Sequence, residues 1–180
     1  LAVSLSGKHR VRLWARDAAL AAATGSSRRN PRYLPEVSIP ASVVVTGDLP
    51  SAMAECDAAL IATPSSELRE VLGRMRASRF EQPLIWACKG FEQASGKLPH
   101  QVAAEVLGKR AACGALSGPS FALEVAQGRP TALTLAAEDA GFARRWAREL
   151  HQPTLRVYFS TDLAGVEIGG AVKNVMAIAA

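Results

Sequence analysis

Short apolar runs alternate along this chain with stretches in which apolar residues recur at helical spacing. The runs fall at residues 11–14, 43–46, 57–62, 83–87, 112–116, 131–136 and 155–158, and each predicts a strand. Between them, helices are expected at 18–23, 49–54, 66–75, 99–107, 121–126 and 139–150, with Asp17 and Asp48 placed to cap the first two. The stripe Leu68, Val71, Leu72 and Met75 marks one helix face. Residues 1–6 read as the tail of a helix stopped by Gly7, and 24–41 as a long polar loop with three prolines. Asp162 is placed to cap a last helical region. Strands alternating with helices predict a doubly wound α/β sheet, mostly parallel, which takes its ligands outside the carboxyl ends of its strands.

The closing stretch, residues 165–180, predicts a helix that is apolar on nearly every side and therefore buried. Lys173 and Asn174 sit in its middle. Burial strips a lysine of hydration and favours the neutral amine, which can accept a proton from a substrate hydroxyl. Alternatively, Lys173 snorkels or pairs with a carboxylate at a helix contact.

Composition bounds these readings. The chain has 180 residues, 49% apolar and 21% charged, enough for one globular domain and the start of another. Without a long uncharged apolar run or a basic leader, it reads as a cytoplasmic protein with no membrane partner. Cys56, Cys88 and Cys113 are odd in number and lack metal-site spacing, and His9, His100 and His151 fall in no ligand pattern, so no metal is expected. The net charge of +5 suits nucleic acid or a phosphorylated small molecule. Its basic residues are dispersed and not interleaved with aromatics, which disfavours nucleic acid.

Candidate chemistry gathers just after the strands. Arg16 follows the first strand, where a cation suits the ribose 2′-phosphate of NADP; the neighbouring Asp17 reads as a helix cap before a ribose ligand. Thr63-Pro64-Ser65, Lys89-Gly90 and Gly118-Pro119-Ser120 follow later strands. Lys89 offers a point charge to a phosphate, and Gly90 lets the backbone approach a ligand. Gly118-Pro119-Ser120 reads as a helix opening that offers free N–H groups and a hydroxyl, or as plain helix-start residues. Cys88 beside Lys89 is either a low-pKa thiol or a buried one. The residues show no Ser/His/Asp order and no catalytic carboxylate pair.

Three segments together resemble bacterial-type NAD(P)-dependent glycerol-3-phosphate dehydrogenase: residues 86–92 (Trp-Ala-Cys-Lys-Gly-Phe-Glu), 117–125 (Ser-Gly-Pro-Ser-Phe-Ala-Leu-Glu-Val) and 169–175 (Gly-Gly-Ala-Val-Lys-Asn-Val). The loop Asn30-Pro31-Arg32-Tyr33-Leu34-Pro35 fits as well. The resemblance implies a Rossmann-like cofactor domain over 1–160, lacking its first strand and glycine-rich loop, and the truncated start of an all-helical substrate domain over 161–180. It implies hydride transfer between NAD or NADP and the pair dihydroxyacetone phosphate and sn-glycerol 3-phosphate, supplying phospholipid synthesis. Lys173 is then the proton acceptor and a substrate contact, and Lys89 touches both cofactor and substrate. Gly118 and Ser120 are substrate positions, and Arg16 and Ala122 cofactor positions. A homodimer is expected of the full-length enzyme.

The expected departures from the family are truncations, so the 180-residue chain alone is expected to be inactive. Turnover of dihydroxyacetone phosphate by that chain would contradict this. Other readings stay open: a hydroxyacid or ketopantoate-type NAD(P) dehydrogenase, a non-catalytic dinucleotide-binding module, or a nucleic-acid binder.

Overall fold

The computed structural model describes residues 1–108 and 112–179, and side chains as far as 172. In chain order the elements are α1 (Ala2–Leu5), β1 (Arg12–Trp14), α2 (Ala18–Ser27), β2 (Val44–Thr46), α3 (Leu49–Met53), β3 (Ala59–Ile61), α4 (Ser65–Ala77), β4 (Leu84–Trp86), α5 (Pro99–Leu107), β5 (Cys113–Ser117), α6 (Ala122–Ala126), β6 (Thr131–Ala136), α7 (Ala140–Leu150), β7 (Leu155–Ser160) and α8 (Leu163–Ala179). They form two compact units, one of residues 1–56 and 121–131 and one of residues 57–120 and 132–180.

In the first unit β1 and β2 pair in parallel, Arg12 opposite Val44. Asp17 caps α2 by accepting a hydrogen bond from the Leu20 amide at 3.0 Å, and Asp48 does the same for Ser51 at 2.9 Å. Such caps satisfy amides that a helix start otherwise leaves unpaired. Helix α2 runs on to Ser27, four residues past the expected end, so the polar loop starts later than its composition suggests. Arg28 ends the helix in a left-handed conformation, φ +54°. Its guanidinium donates to the carbonyls of Ile39, Pro40 and Val43. Val37 and Ile39 are buried, so the far side of the loop is folded down onto the unit.

The second unit carries a five-stranded sheet in the order β3-β4-β5-β6-β7. β3, β4 and β5 are mutually parallel, with Leu60 opposite Ile85 and Trp86 opposite Ala115. β6 then pairs antiparallel to β5, Leu116 opposite Leu135. The mostly parallel α/β expectation is met. Trp86, Leu135, Leu72 and Leu68 form the driest part of the core, and the stripe predicted on α4 is buried throughout. Asp139 caps α7 through the Phe142 amide, and Asp162 starts α8 by accepting from the Gly165 amide at 2.8 Å.

Helix α8 differs from expectation. Over its described side chains only one stripe is buried, Leu163, Glu167 and Gly170, while Ile168 is 43% and Val172 40% exposed. The spacing i, i+4, i+7 is that of a helix lying with one face on a sheet. Val166 and Ala171 are half-buried beside that stripe.

Candidate active site

The second unit brings three carboxyl-edge loops together. The loop after β3 meets the loop after β4 where the Ser65 hydroxyl donates to the Phe91 carbonyl at 3.2 Å. The loop after β4 meets the loop after β5 where Lys89 Nζ donates to the Gly118 carbonyl at 3.1 Å. Parallel strands place their carboxyl ends on one edge, so residues far apart in sequence become neighbours there. Lys89 is half-buried. Gly90 beside it has φ +101°, a conformation that glycine adopts without strain.

Gly118 answers a steric demand. A Cβ there would lie 2.8 Å from the Ala132 carbonyl oxygen and 3.0 Å from Leu133 Cδ2. Any side chain would push the loop away from β6. Ser120 is half-buried two residues further on. It does not open a helix: α6 begins at Ala122 with Phe121 at its N-cap, makes no side-chain cap and is five residues long. Gly118-Pro119-Ser120 therefore precedes the helix and does not open it: Gly118 and Pro119 bend the chain, and Phe121 is extended (φ −107°, ψ 141°). Lys89 supplies the cationic partner at this edge.

A cavity of about 260 Å³ adjoins the loop, lined by Ser117, Gly118, Pro119, Thr134, Val166 and Gly170. The cleft of about 320 Å³ between α7 and β7, lined by Arg144, Arg148, His151 and Phe159, contains none of the candidate residues. Ser117 is buried at the first cavity, and its hydroxyl has no hydrogen-bond partner among the described residues. Gly170 of α8 packs directly on that hydroxyl, near Lys89 Cγ. The helix thus reaches the loops through its glycine.

The loop after β4 is braced from outside. Glu92 is buried and accepts from Arg69 of α4 through both carboxylate oxygens, at 2.8 and 2.9 Å. Arg69 also bonds Glu105 of α5, which pairs in turn with Lys97. The Arg69 and Ser95 hydrogen bonds hold the Glu92 carboxyl at about 2, well below its ordinary range.

Cys88 is buried, and burial pushes its thiol up despite a weak contact with the Thr63 hydroxyl at 3.9 Å. Cys113 is pushed up to about 11 by burial, with Glu138 adding to it. Burial thus favours the buried-thiol reading of Cys88 over the low-pKa one. Among the described residues no group of histidines, cysteines or carboxylates could hold a metal ion.

The other candidates are placed as follows. Arg16 is exposed just beyond the carboxyl end of β1, and Asp17 is engaged as the α2 cap. Ala122 is exposed as the first residue of α6. Both belong to the first unit. Lys173 lies on α8, and its side chain is outside the described residues.

Sequence reasoning missed Glu167. This α8 carboxylate is 4% exposed. Its Oε1 accepts from the Trp86 indole N–H at 2.8 Å and from the His100 backbone N–H at 3.0 Å, while Oε2 meets His100 Nδ1 at 2.5 Å. Burial pushes the carboxyl up, against the hydrogen bonds from His100 and Trp86 that pull it down. The signal that could have found it was a carboxylate inside a helix read as apolar, since a buried charge demands partners.

A mostly parallel α/β sheet with a lysine and glycine loops converging on its carboxyl edge defines a doubly wound, ligand-binding class of protein. Residues 1–143 match the family described as the NAD-dependent glycerol-3-phosphate dehydrogenase N-terminus, and the chain belongs to that family. Over its whole length it is 52% identical to glycerol-3-phosphate dehydrogenase [NAD(P)+] of Aromatoleum aromaticum, spanning 55% of that protein. Over 99% of its length it is 52% identical to the protein of the same name from Dechloromonas aromatica, covering 54% of it. The chain thus spans about half the length of the curated relatives it matches. Among solved structures, a glycerol-3-phosphate dehydrogenase from Coxiella burnetii superposes with TM-score 0.90 at 35% identity, over 99% of this chain and 55% of that one. A pyrroline-5-carboxylate reductase from the same organism, at 12% identity and TM-score 0.65, shares the fold. Among the described residues no helix is long and apolar enough to cross a membrane.

Proposed function

We propose that this chain is the cofactor-binding part of an enzyme that interconverts sn-glycerol 3-phosphate and dihydroxyacetone phosphate with NAD or NADP. The observation that carries the reading is the Lys89–Gly118 hydrogen bond, which joins two of the three family-like segments in one cationic, glycine-lined edge. Residues 1–160 form the cofactor domain and 161–180 open a helical substrate domain; the strand–helix alternation ends at Ser160, and α8 follows.

The residues present fit a dinucleotide and a phosphorylated substrate. Arg16 is exposed beyond β1, as a contact at the adenosine end requires. Gly118, where no Cβ fits, lets the backbone stand close to β6, and Lys89 brings charge beside it. A bound NAD or NADP would supply the hydride acceptor for the secondary carbon of the alcohol. Lys173 takes the hydroxyl proton as the carbonyl forms, and in reduction its ammonium returns that proton. Lys89 draws the substrate phosphate and the cofactor to the same edge, Gly118 and Ser120 orient the substrate, and Ala122 contacts the cofactor. The exposed Ile168 and Val172 of α8 provide apolar surface for a following helical domain. The whole enzyme works in the cytoplasm as a homodimer and supplies phospholipid synthesis.

The test is Lys173→Met in the full-length protein, with NAD(P)H oxidation driven by dihydroxyacetone phosphate as the assay. We expect kcat to fall by at least about 10²-fold, the lower end of the range for losing a positioned acid–base group. Unchanged turnover would remove Lys173 from the chemistry.

A further inference from the structure

The Glu167 carboxylate is spent on two elements that both lead to the candidate site. Trp86 ends β4, is fully buried, and stands three residues before Lys89. His100 lies in the first turn of α5, whose N-cap, Leu98, provides no side-chain cap. The His100 amide is one of the N–H groups a helix start leaves open, and Glu167 fills it from another helix. A negative group there is also favoured by the helix dipole. Glu167 therefore ties α8 to β4 and to α5 at one point.

We propose that Glu167 is the positioning residue that fixes the rotation and register of α8, and so sets where Lys173 stands relative to the Lys89 loop. This rests on the reading of Lys173 as the proton acceptor. Two observations give the anchor its leverage. Three hydrogen bonds on one side chain fix rotation about the helix axis, which apolar contacts leave softer. Three residues on and on the same face, Gly170 sits against Ser117 and beside Lys89, so a turn of the helix at Glu167 would carry this contact with it. Lys173 follows within one further turn of the same rigid helix. A carboxylate also has a cost at this depth, because burial opposes its charge. A leucine of similar volume would fill the space without that cost, but would provide no directional bond.

The experiment uses the full-length protein with Glu167→Leu, Glu167→Gln and Lys173→Met. Readouts are kcat and KM for dihydroxyacetone phosphate, KM for the cofactor, and the pH profile of kcat in the oxidative direction. Glu167→Leu should lower kcat by about 10²-fold, the loss typical of a misplacement near 1 Å, while the cofactor KM stays within about threefold. Its oxidative pH profile should differ from that of wild type, because Lys173 loses its fixed surroundings. Glu167→Gln keeps an acceptor for Trp86 and the His100 amide, and should restore kcat to within about tenfold of wild type. If Glu167→Leu does not fold, Glu167→Asp, which draws the carboxyl back by one methylene, should show the same split between kcat and KM. A Glu167→Leu or Glu167→Asp enzyme whose kcat falls only with its folded fraction, at an unshifted pH profile, overturns the proposal and leaves the role of Lys173 intact. Full turnover by Lys173→Met overturns both.

Discussion

Gly170 offers a sharp test of how α8 is seated. In a helix interior, glycine to alanine ordinarily stabilises by about 0.8–1 kcal/mol, because alanine loses less backbone freedom on folding. At position 170 the new Cβ would overlap the buried Ser117 hydroxyl, which would have to shift to make room. Overpacking of this kind costs about 1–3 kcal/mol. The sum predicts that Gly170→Ala destabilises by about 1 kcal/mol. Removing the hydroxyl reverses the sign. With Ser117→Ala in place, the nearest remaining neighbours of the new methyl are the Cβ at position 117, 3.5 Å away, and Lys89 Cγ, 3.8 Å away, both ordinary contacts. The helix gain then returns, and the double variant should be about 1 kcal/mol more stable than Ser117→Ala alone. Ser117→Ala by itself should be neutral or slightly stabilising, since its hydroxyl has no partner among the described residues to lose. Urea unfolding of the four full-length proteins gives the coupling, expected at about 1–3 kcal/mol. If Gly170→Ala stabilises both backgrounds equally, α8 does not press on Ser117, and the packing described for the site is wrong.

The Arg69–Glu92 brace should be sensitive to acid. The folded value of Glu92 lies below its ordinary 4.5, so its contribution is fully present above that pH and is lost as pH falls toward about 2. Comparing the urea midpoint of wild type with that of Glu92→Gln through this window should show the gap closing with acid; a pH-independent gap would mean the carboxylate is unpaired. Cys88 and Cys113, both raised by burial, should resist alkylation by iodoacetamide near neutral pH in the native protein. Peptide mapping that finds Cys88 modified as fast as an unfolded cysteine would contradict its placement.

The sheet was legible because its signals are local. Strands such as β3 and β4 lie in continuous apolar runs, and each helix with an aspartate before it starts where that aspartate accepts an amide, as at Asp17, Asp48 and Asp139. Boundaries slipped where a tertiary contact overrode the local pattern. Helix α2 continues through Gly25, a residue of low helix propensity, because its terminus is fastened by Arg28 to the carbonyls of residues 39, 40 and 43. Position in the sheet also told which loops to inspect. The Lys89–Gly118 contact, between residues 29 apart, follows from that rule and not from any spacing in the sequence.

The closing helix shows where the sequence argument ran out. Lys173 drew attention as a polar group within an apolar helix, yet Glu167 meets the same criterion one and a half turns earlier and passed unnoticed. Periodicity marks which residues face inward, but it does not say what waits there. Trp86 ends a strand 81 positions away, and His100 opens a helix 67 away, and nothing in either local pattern pairs them with Glu167. The burial expected of α8 is one-sided over its described side chains, where Ile168 and Val172 are exposed, and the expectation for 173–180 lies outside the described residues. A buried carboxylate with three partners is then the stronger constraint on the helix. Apolar faces can slide or rotate past one another at small cost, whereas turning α8 at Glu167 would leave an indole N–H and a helix-start amide without acceptors.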